Sequence, residues 1–257
     1  MHQDEETARR RHSFGSVAEH YARFRPPPPD AAIEWLLPSG VNDVLELGAG
    51  TGALTGLLTR RFSRVRAVEP DDRMRTVLEA AATGAEVVSG VAEQIPADDH
   101  AYDTVIAASA WHWVDEERAF PEVARVLRPG GTLALLWSGP DRTVDWMRTL
   151  WAGGTTPTTE AQRDLVEHRS ERHVVNLPGD GTFTEPQTTV LHWTRPMTKD
   201  DFIGLIGTYS AFITMDEDTW HQHRAGLADA LDRLPQFTGN ASVDVPMRCR
   251  CWRSTLA

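Results

Sequence analysis

Cysteine is almost missing from this chain: Cys249 and Cys251 are the only two in 257 residues. That excludes a disulfide framework, and a spacing of two matches no zinc-ligand pattern, so both are read as free thiols that would share one face of a strand. Lysine is scarcer still, with Lys199 standing alone beside many arginines. Positive charge is short overall: the formal net charge is −11, which argues against a nucleic-acid partner bound through phosphate neutralisation. No apolar run approaches the roughly 18 residues that a membrane span needs. The N-terminal stretch, Met1 to His12, is polar and charged and carries no signal-like apolar core. The expectation is a cytoplasmic protein with a small-molecule partner, no nucleic acid and no membrane; the oligomeric state is not readable. The length suits one α/β domain with additions, and a second domain is not required.

What is present centres on Val44–Leu54, VLELGAGTGAL. An apolar strand runs into a turn with glycines at Gly48, Gly50 and Gly52 and then into a helix. Glycine there permits positive φ and close approach of a ligand to the backbone. A second strand, Arg64 to Val68, ends in Glu69-Pro70, about 20 residues on, where an acid at a strand tip accepts hydrogen bonds from a ribose diol. The turn reads GxGxG, and Glu46 lies within the preceding strand. Pyrophosphate would be poorly served by an acid at that point, whereas a cationic ligand would gain from it.

These residues carry a resemblance. VLELGAGTG followed by VEP resembles the first two motifs of the class I S-adenosylmethionine (SAM)-dependent methyltransferases, especially the type 11 group. The resemblance implies a Rossmann-like, doubly wound α/β fold: a mostly parallel seven-stranded sheet with an antiparallel edge strand and helical lid insertions. It also implies SAM as cofactor, leaving as S-adenosylhomocysteine, held across Gly48, Ala49, Gly50 and Thr51 with Glu46 beneath and with Glu69 and Pro70 at the ribose.

The remaining segments fall into place around that core. Phe14 to Phe24 has helical apolar spacing, and Arg25 leads into a proline run that ends the helix. FGSVAEHYARFRP resembles the segment that covers the cofactor in this group, which implies contacts from Tyr21 and Arg25. Asp30 is expected to cap a helix over Ala31 to Leu37. Asp71 and Asp72 open another helix, in which Met74 packs in the core or touches the adenine. Ala85 to Ser89 is a third strand, followed by GVAEQIP, where the resemblance places Ala92 and Glu93 at the adenine edge; an acceptor and apolar walls suit that base.

Tyr102 to Ala108 is a fourth strand, and SAWHWVD follows it. Ligands in open α/β sheets bind at the carboxyl ends of strands where the strand order reverses. The cluster offers apolar walls with one titratable group, and it is similar to the AxxHWxD element of trans-aconitate methyltransferase-like enzymes. The resemblance implies Ser109 and Trp111 at the cofactor and Trp113 at the acceptor. His112 is either a general base, suited by its reference pKa near 6.5, or a residue that orients the loop. A carboxylate acceptor would need no base at all.

Asp115 to Leu127 reads as an amphipathic helix, Arg128 to Gly131 as a turn, and Thr132 to Trp137 as a fifth strand. Residues 138–189 read as an insertion that builds lid and acceptor pocket, with helices over Asp145 to Trp151 and Thr159 to Glu171 and a hinge-like loop at Gly153 to Pro157. Trp146 there and Tyr209 later are candidate acceptor contacts. Val190 to Trp193 is a late strand, Thr198 caps a helix, and Ala241 to Arg253 reads as the closing edge strand. The chain is thus expected to be one methyltransferase domain over 1–257. Its parts would be a covering segment 14–29, a SAM-binding core 41–137, the insertion, and closing elements 190–257. The expected function is methyl transfer from SAM to a small molecule, at a hydroxyl or carboxylate oxygen. The alternatives are a SAM-binding protein without methyl transfer and an NAD-dependent oxidoreductase, and no metal is expected.

Overall fold

Short apolar runs separated by helices can pair in parallel only through crossovers, and the chain does so repeatedly. In the computed structural model, which describes residues 18–81, 84–152, 174–213 and 215–257, β1 (Asp43–Leu47) and β2 (Arg64–Val68) pair in parallel with Leu47 opposite Val68. β3 (Glu86–Val88) continues outward from β2. β4 (Tyr102–Ala108) lies on the other side of β1, with Glu46 opposite Ile106. β5 (Leu127–Pro140), β6 (Gln187–Met197) and β7 (Val243–Thr255) complete a seven-stranded sheet in the order β3-β2-β1-β4-β5-β7-β6. It is mostly parallel with antiparallel strands at its edge, the Rossmann-like α/β architecture expected from the sequence. The order reverses between β1 and β4, which opens a crevice at their carboxyl ends.

Nine helices lie among the described residues: α1 (Ala18–Phe24), α2 (Asp30–Leu36), α3 (Thr55–Leu58), α4 (Asp72–Ala80), α5 (Glu116–Val126), α6 (Asp145–Trp151), α7 (Lys199–Gly207), α8 (Ser210–Ile213) and α9 (Glu217–Asp232). Two caps follow their sequence signals. The Asp71 side chain accepts from the amides of Arg73 and Met74 at the start of α4. Thr198 and Asp201 form a reciprocal capping box on α7, satisfying donors that would otherwise be orphaned. α1 lies against α4, which carries Tyr21 toward the sheet.

Three expectations are corrected. Asp30 is not the cap of α2: the extended Pro29 holds that position and Asp30 is already in the first turn, where its carboxylate meets Arg61 at 3.0 Å. The Arg128 to Gly131 turn is absorbed into β5, with a register shift opposite Tyr102 and Thr104 and with Gly130 at φ +76, as in a bulge. The closing strand β7 is internal, and β6 forms the edge. Val245, Met247, Cys249 and Cys251 on β7 are all buried, as an inserted strand demands. The expected hinge at 153–157, the helix at 159–171 and the start of the N-terminal helix lie outside the described residues.

By contacts the chain divides into two compact units. One holds the chain up to Ser138 together with Asn176–Leu191 and Cys249–Ala257, and the other holds Gly139–Val175 and His192–Arg248. The second unit has its own core, in which Met147, Phe202, Leu231, Phe237, Val245 and Met247 are buried and Trp146, Trp151 and Trp193 pack against them.

Candidate active site

The crevice of the first unit holds a cavity of about 250 Å³. Its floor is the glycine turn after β1, one wall is the tip of β2 with Glu69, Pro70 and Asp71, and Met74, Val91 and Ala92 form an apolar side. The end of β4 at Ala108 and the loop after it close it through Ser109, Ala110, Trp113 and Val114, and Tyr21 of α1 reaches it as well.

Two glycines explain the turn. Gly48 has φ +66, and a Cβ there would lie 2.5 Å from the Ala110 Cβ, so the turn and the loop after β4 interlock only because that carbon is missing. Gly50 has φ +59, and beyond its own chain neighbours nothing lies within 4 Å of where a Cβ would be; as a lining residue it opens that space to the cavity. Ser109 takes a left-handed φ of 52, a conformation that costs energy in a residue other than glycine and often marks functional sites. Its amide donates to the Leu136 carbonyl at 2.8 Å, which holds the bend in place.

Glu69 is 7% exposed and serves the scaffold as well as the cavity. Its Oε2 accepts from the Gly50 amide at 2.8 Å, and its Oε1 accepts from the Asp71 amide at 2.9 Å. Burial raises its pKa against the opposing effect of those two amides. Each oxygen retains a lone pair for a further donor. Asp71 moves the other way: burial works against its charge, but hydrogen bonds from Arg73 and Met74 outweigh that and lower its pKa.

Glu46 lies beneath the turn, 1% exposed, accepting from the Thr55 hydroxyl at 2.7 Å. Desolvation pushes its pKa up to about 8. At neutral pH the carboxyl is therefore mostly protonated. Burial thus suppresses the negative charge that the sequence places under the turn, and Glu46 does not itself line the cavity.

Of the candidate cofactor residues, the cavity brings together Tyr21, Gly48, Gly50, Glu69, Pro70, Met74, Ala92 and Ser109. The others do not line it. Arg25 places its guanidinium 5.6 Å from the Tyr21 ring centroid. Ala49 is buried against Ala67 and Leu78, and Thr51 is buried. Glu93 accepts from the Asp115 amide at 2.9 Å. Trp111 turns away: it is 2% exposed, donates from its indole to Glu116 at 2.8 Å and packs on Phe120. Of the candidate acceptor residues Trp113 lines the cavity, with the His112 ring 4.7 Å from its own. Trp146 and Tyr209 belong to the second unit. There Trp146 packs on Phe202 and Phe237, and the Tyr209 hydroxyl lies 2.8 Å from where a Cβ on Gly139 would be. Sequence reasoning assigned Asp71 only to a helix start and gave Gly90 no role, yet both line the cavity. For Asp71 the available signal was its place directly after Glu69-Pro70.

Comparison with known proteins settles the family. A methyltransferase domain family matches residues 45–135. An uncharacterized methyltransferase of Mycobacterium tuberculosis is 40% identical over 245 residues, covering 95% of this chain and 96% of that protein. The chain belongs to the class I SAM-dependent methyltransferases. Among solved structures, this methyltransferase is similar to one described as a type II methyltransferase from Anaeromyxobacter dehalogenans, with 25% identity, a TM-score of 0.61 and coverage of 91% of this chain and 98% of that one. About half of the methyltransferase, 48%, also aligns at 36% identity with a malonyl-[acyl-carrier protein] O-methyltransferase of Methylococcus capsulatus, over 48% of that protein. These likenesses establish the family and not the narrower trans-aconitate group. No helix among the described residues is long and apolar enough to cross a membrane.

Proposed function

We propose that this methyltransferase binds SAM in the cavity between the glycine turn, Glu69 and the loop after β4, and transfers its methyl group to an oxygen of a small-molecule acceptor. The observation that carries the reading is the cavity itself: the open cradle at Gly50, a buried carboxylate at the tip of β2 and an apolar pocket at Met74, Val91 and Ala92 meet in one space. The residues fit the cofactor. Glu69 has acceptor capacity left for ribose hydroxyls, the apolar pocket suits an adenine face, and Tyr21 closes the space from α1. SAM supplies an electrophilic methyl on a sulfonium whose charge is lost on transfer, so the protein's share is positioning and exclusion of water. Trp113 and Val114 wall the cavity and serve that exclusion. Glu46 would give up its proton to a cationic ligand and so match its charge.

His112 is assigned an orienting role, supported by its ring lying against Trp113. The half-chain likeness to an O-methyltransferase supports oxygen as the acceptor atom, a carboxylate or hydroxyl. The chain is proposed to act as one methyltransferase domain in the cytoplasm.

The test is calorimetric titration with SAM and with S-adenosylhomocysteine. Wild type is expected to bind both in the micromolar range. Gly50→Val, whose side chain would enter the cavity, and Glu69→Gln, which exchanges one acceptor for a donor, should each weaken binding at least tenfold, or about 1.4 kcal/mol. A folded wild type that binds neither ligand would end the proposal.

A further inference from the structure

The loop after β4 alternates its allegiance. Ser109 and Ala110 face the cavity, Trp111 faces the interior, and Trp113 and Val114 face the cavity again. Trp111–Trp113 is a single 3-10 turn, in which successive side chains point about 120° apart. Trp111 and Trp113 then point about 120° apart around the turn, so the seating of Trp111 sets where Trp113 points. That seat is built by the Phe120 ring, 5.4 Å from Trp111 and itself 5.7 Å from Phe183, and by one carboxylate. Glu116 Oε1 accepts from the Trp111 indole at 2.8 Å.

The other oxygen of the same carboxylate is also engaged. Glu116 Oε2 accepts from both the backbone amide and the side-chain amide of Asn176, at 3.1 and 3.0 Å. Asn176 is where the chain re-enters the first unit after the 139–175 segment. One side chain thus joins the cavity-bearing loop to a residue 60 positions away. Only a carboxylate accepts on both oxygens; a glutamine would present a donor to one of the two partners.

We propose that Glu116 is a positioning residue for the methyl-donor cavity, holding the Trp111 seat and tying its geometry to the return of the chain at Asn176. This rests on the cavity being the SAM site. Neither Glu116 nor Asn176 lines the cavity, so any effect they have on a ligand there passes through the loop. Asn176 is a surface residue in contact with Glu116, and its loss leaves the Trp111 bond intact.

The experiment titrates SAM and S-adenosylhomocysteine into wild type, Glu116→Gln, Asn176→Ala and the double variant, with thermal unfolding measured alongside. Residues along such a connection typically change coupling by about 2- to 30-fold. Glu116→Gln is expected to weaken SAM binding within that range. Asn176→Ala should weaken it less and in the same direction, and the double variant should be no weaker than Glu116→Gln alone, because both act through one carboxylate. A purely structural role would lower the unfolding temperature and leave the affinity of the folded protein unchanged. Unchanged affinity for both ligands in folded Asn176→Ala and Glu116→Gln overturns the proposal, and if Glu116→Gln does not fold, the affinity of Asn176→Ala decides it. Wild type that binds neither ligand would instead be a failure of the SAM assignment.

Discussion

Replacing Glu46 by glutamine should stabilise this protein at alkaline pH and do little at acid pH. The Glu46 carboxyl titrates at about 8 in the folded chain against an ordinary 4.5, with burial as the leading cause and the nearby Glu69 adding to it. Between those values the folded state binds a proton that the unfolded state has released. The contribution of Glu46 to stability is therefore full below the ordinary value and is lost as pH rises to about 8. The gap corresponds to at most about 5 kcal/mol, and relaxation around a buried charge makes about 2 kcal/mol a safer lower figure. Glutamine keeps an amide oxygen for the Thr55 hydroxyl and does not titrate, so Glu46→Gln removes the pH dependence and keeps the hydrogen bond. Urea unfolding of both proteins at roughly pH 5 and pH 9 reads the effect as a difference of differences. Glu69, also raised by burial, is present in both and largely cancels. We expect the variant to gain about 2–4 kcal/mol on wild type across that range. A gain below about 0.5 kcal/mol would refute the assignment of Glu46 as a desolvated acid, since it would mean that the carboxyl ionises in the fold nearly as it does in water.

Two further outcomes follow from single contacts. Gly48→Ala combines a left-handed backbone with a carbon 2.5 Å from the Ala110 side chain, so chemical denaturation should show a loss of about 2–4 kcal/mol; a loss below about 1 kcal/mol would mean that the loop after β4 yields freely. Thr198→Ala breaks the capping box on α7 and should cost about 1 kcal/mol in thermal unfolding while leaving SAM affinity unchanged; unaltered stability would show that the box is not formed in solution.

The parts of this fold legible in the sequence are those set by neighbours along the chain. VLEL followed by glycines specifies a buried strand and a turn with positive φ, and both appear at β1, Gly48 and Gly50. The Asp71 and Thr198 caps are legible for the same reason, because each side chain bonds an amide within three residues. β7 is different. Its alternation names a strand with one buried face, which it has, but its place between β5 and β6 depends on residues more than 40 positions away, and periodicity carries no information about order.

The candidate site divides along the same line. Trp111 and Trp113 are chemically identical and two residues apart, and their different orientations follow from the phase of a short turn and from the hydrogen bond that Trp111 donates to Glu116, whose other oxygen is met by Asn176 from 60 positions away. A motif can say that aromatic residues gather at the end of β4; which of them faces the ligand is a tertiary property. Glu46 makes the point about charge. In the sequence it counts as −1, but a formal charge is a statement about water, and at 1% exposure the relevant solvent is protein. The formal charge at Glu46 is therefore not a charge that the folded chain displays at neutral pH. A preformed anion beneath the glycine turn would be the more costly design, because it would be buried without a counter-charge in every molecule of free protein.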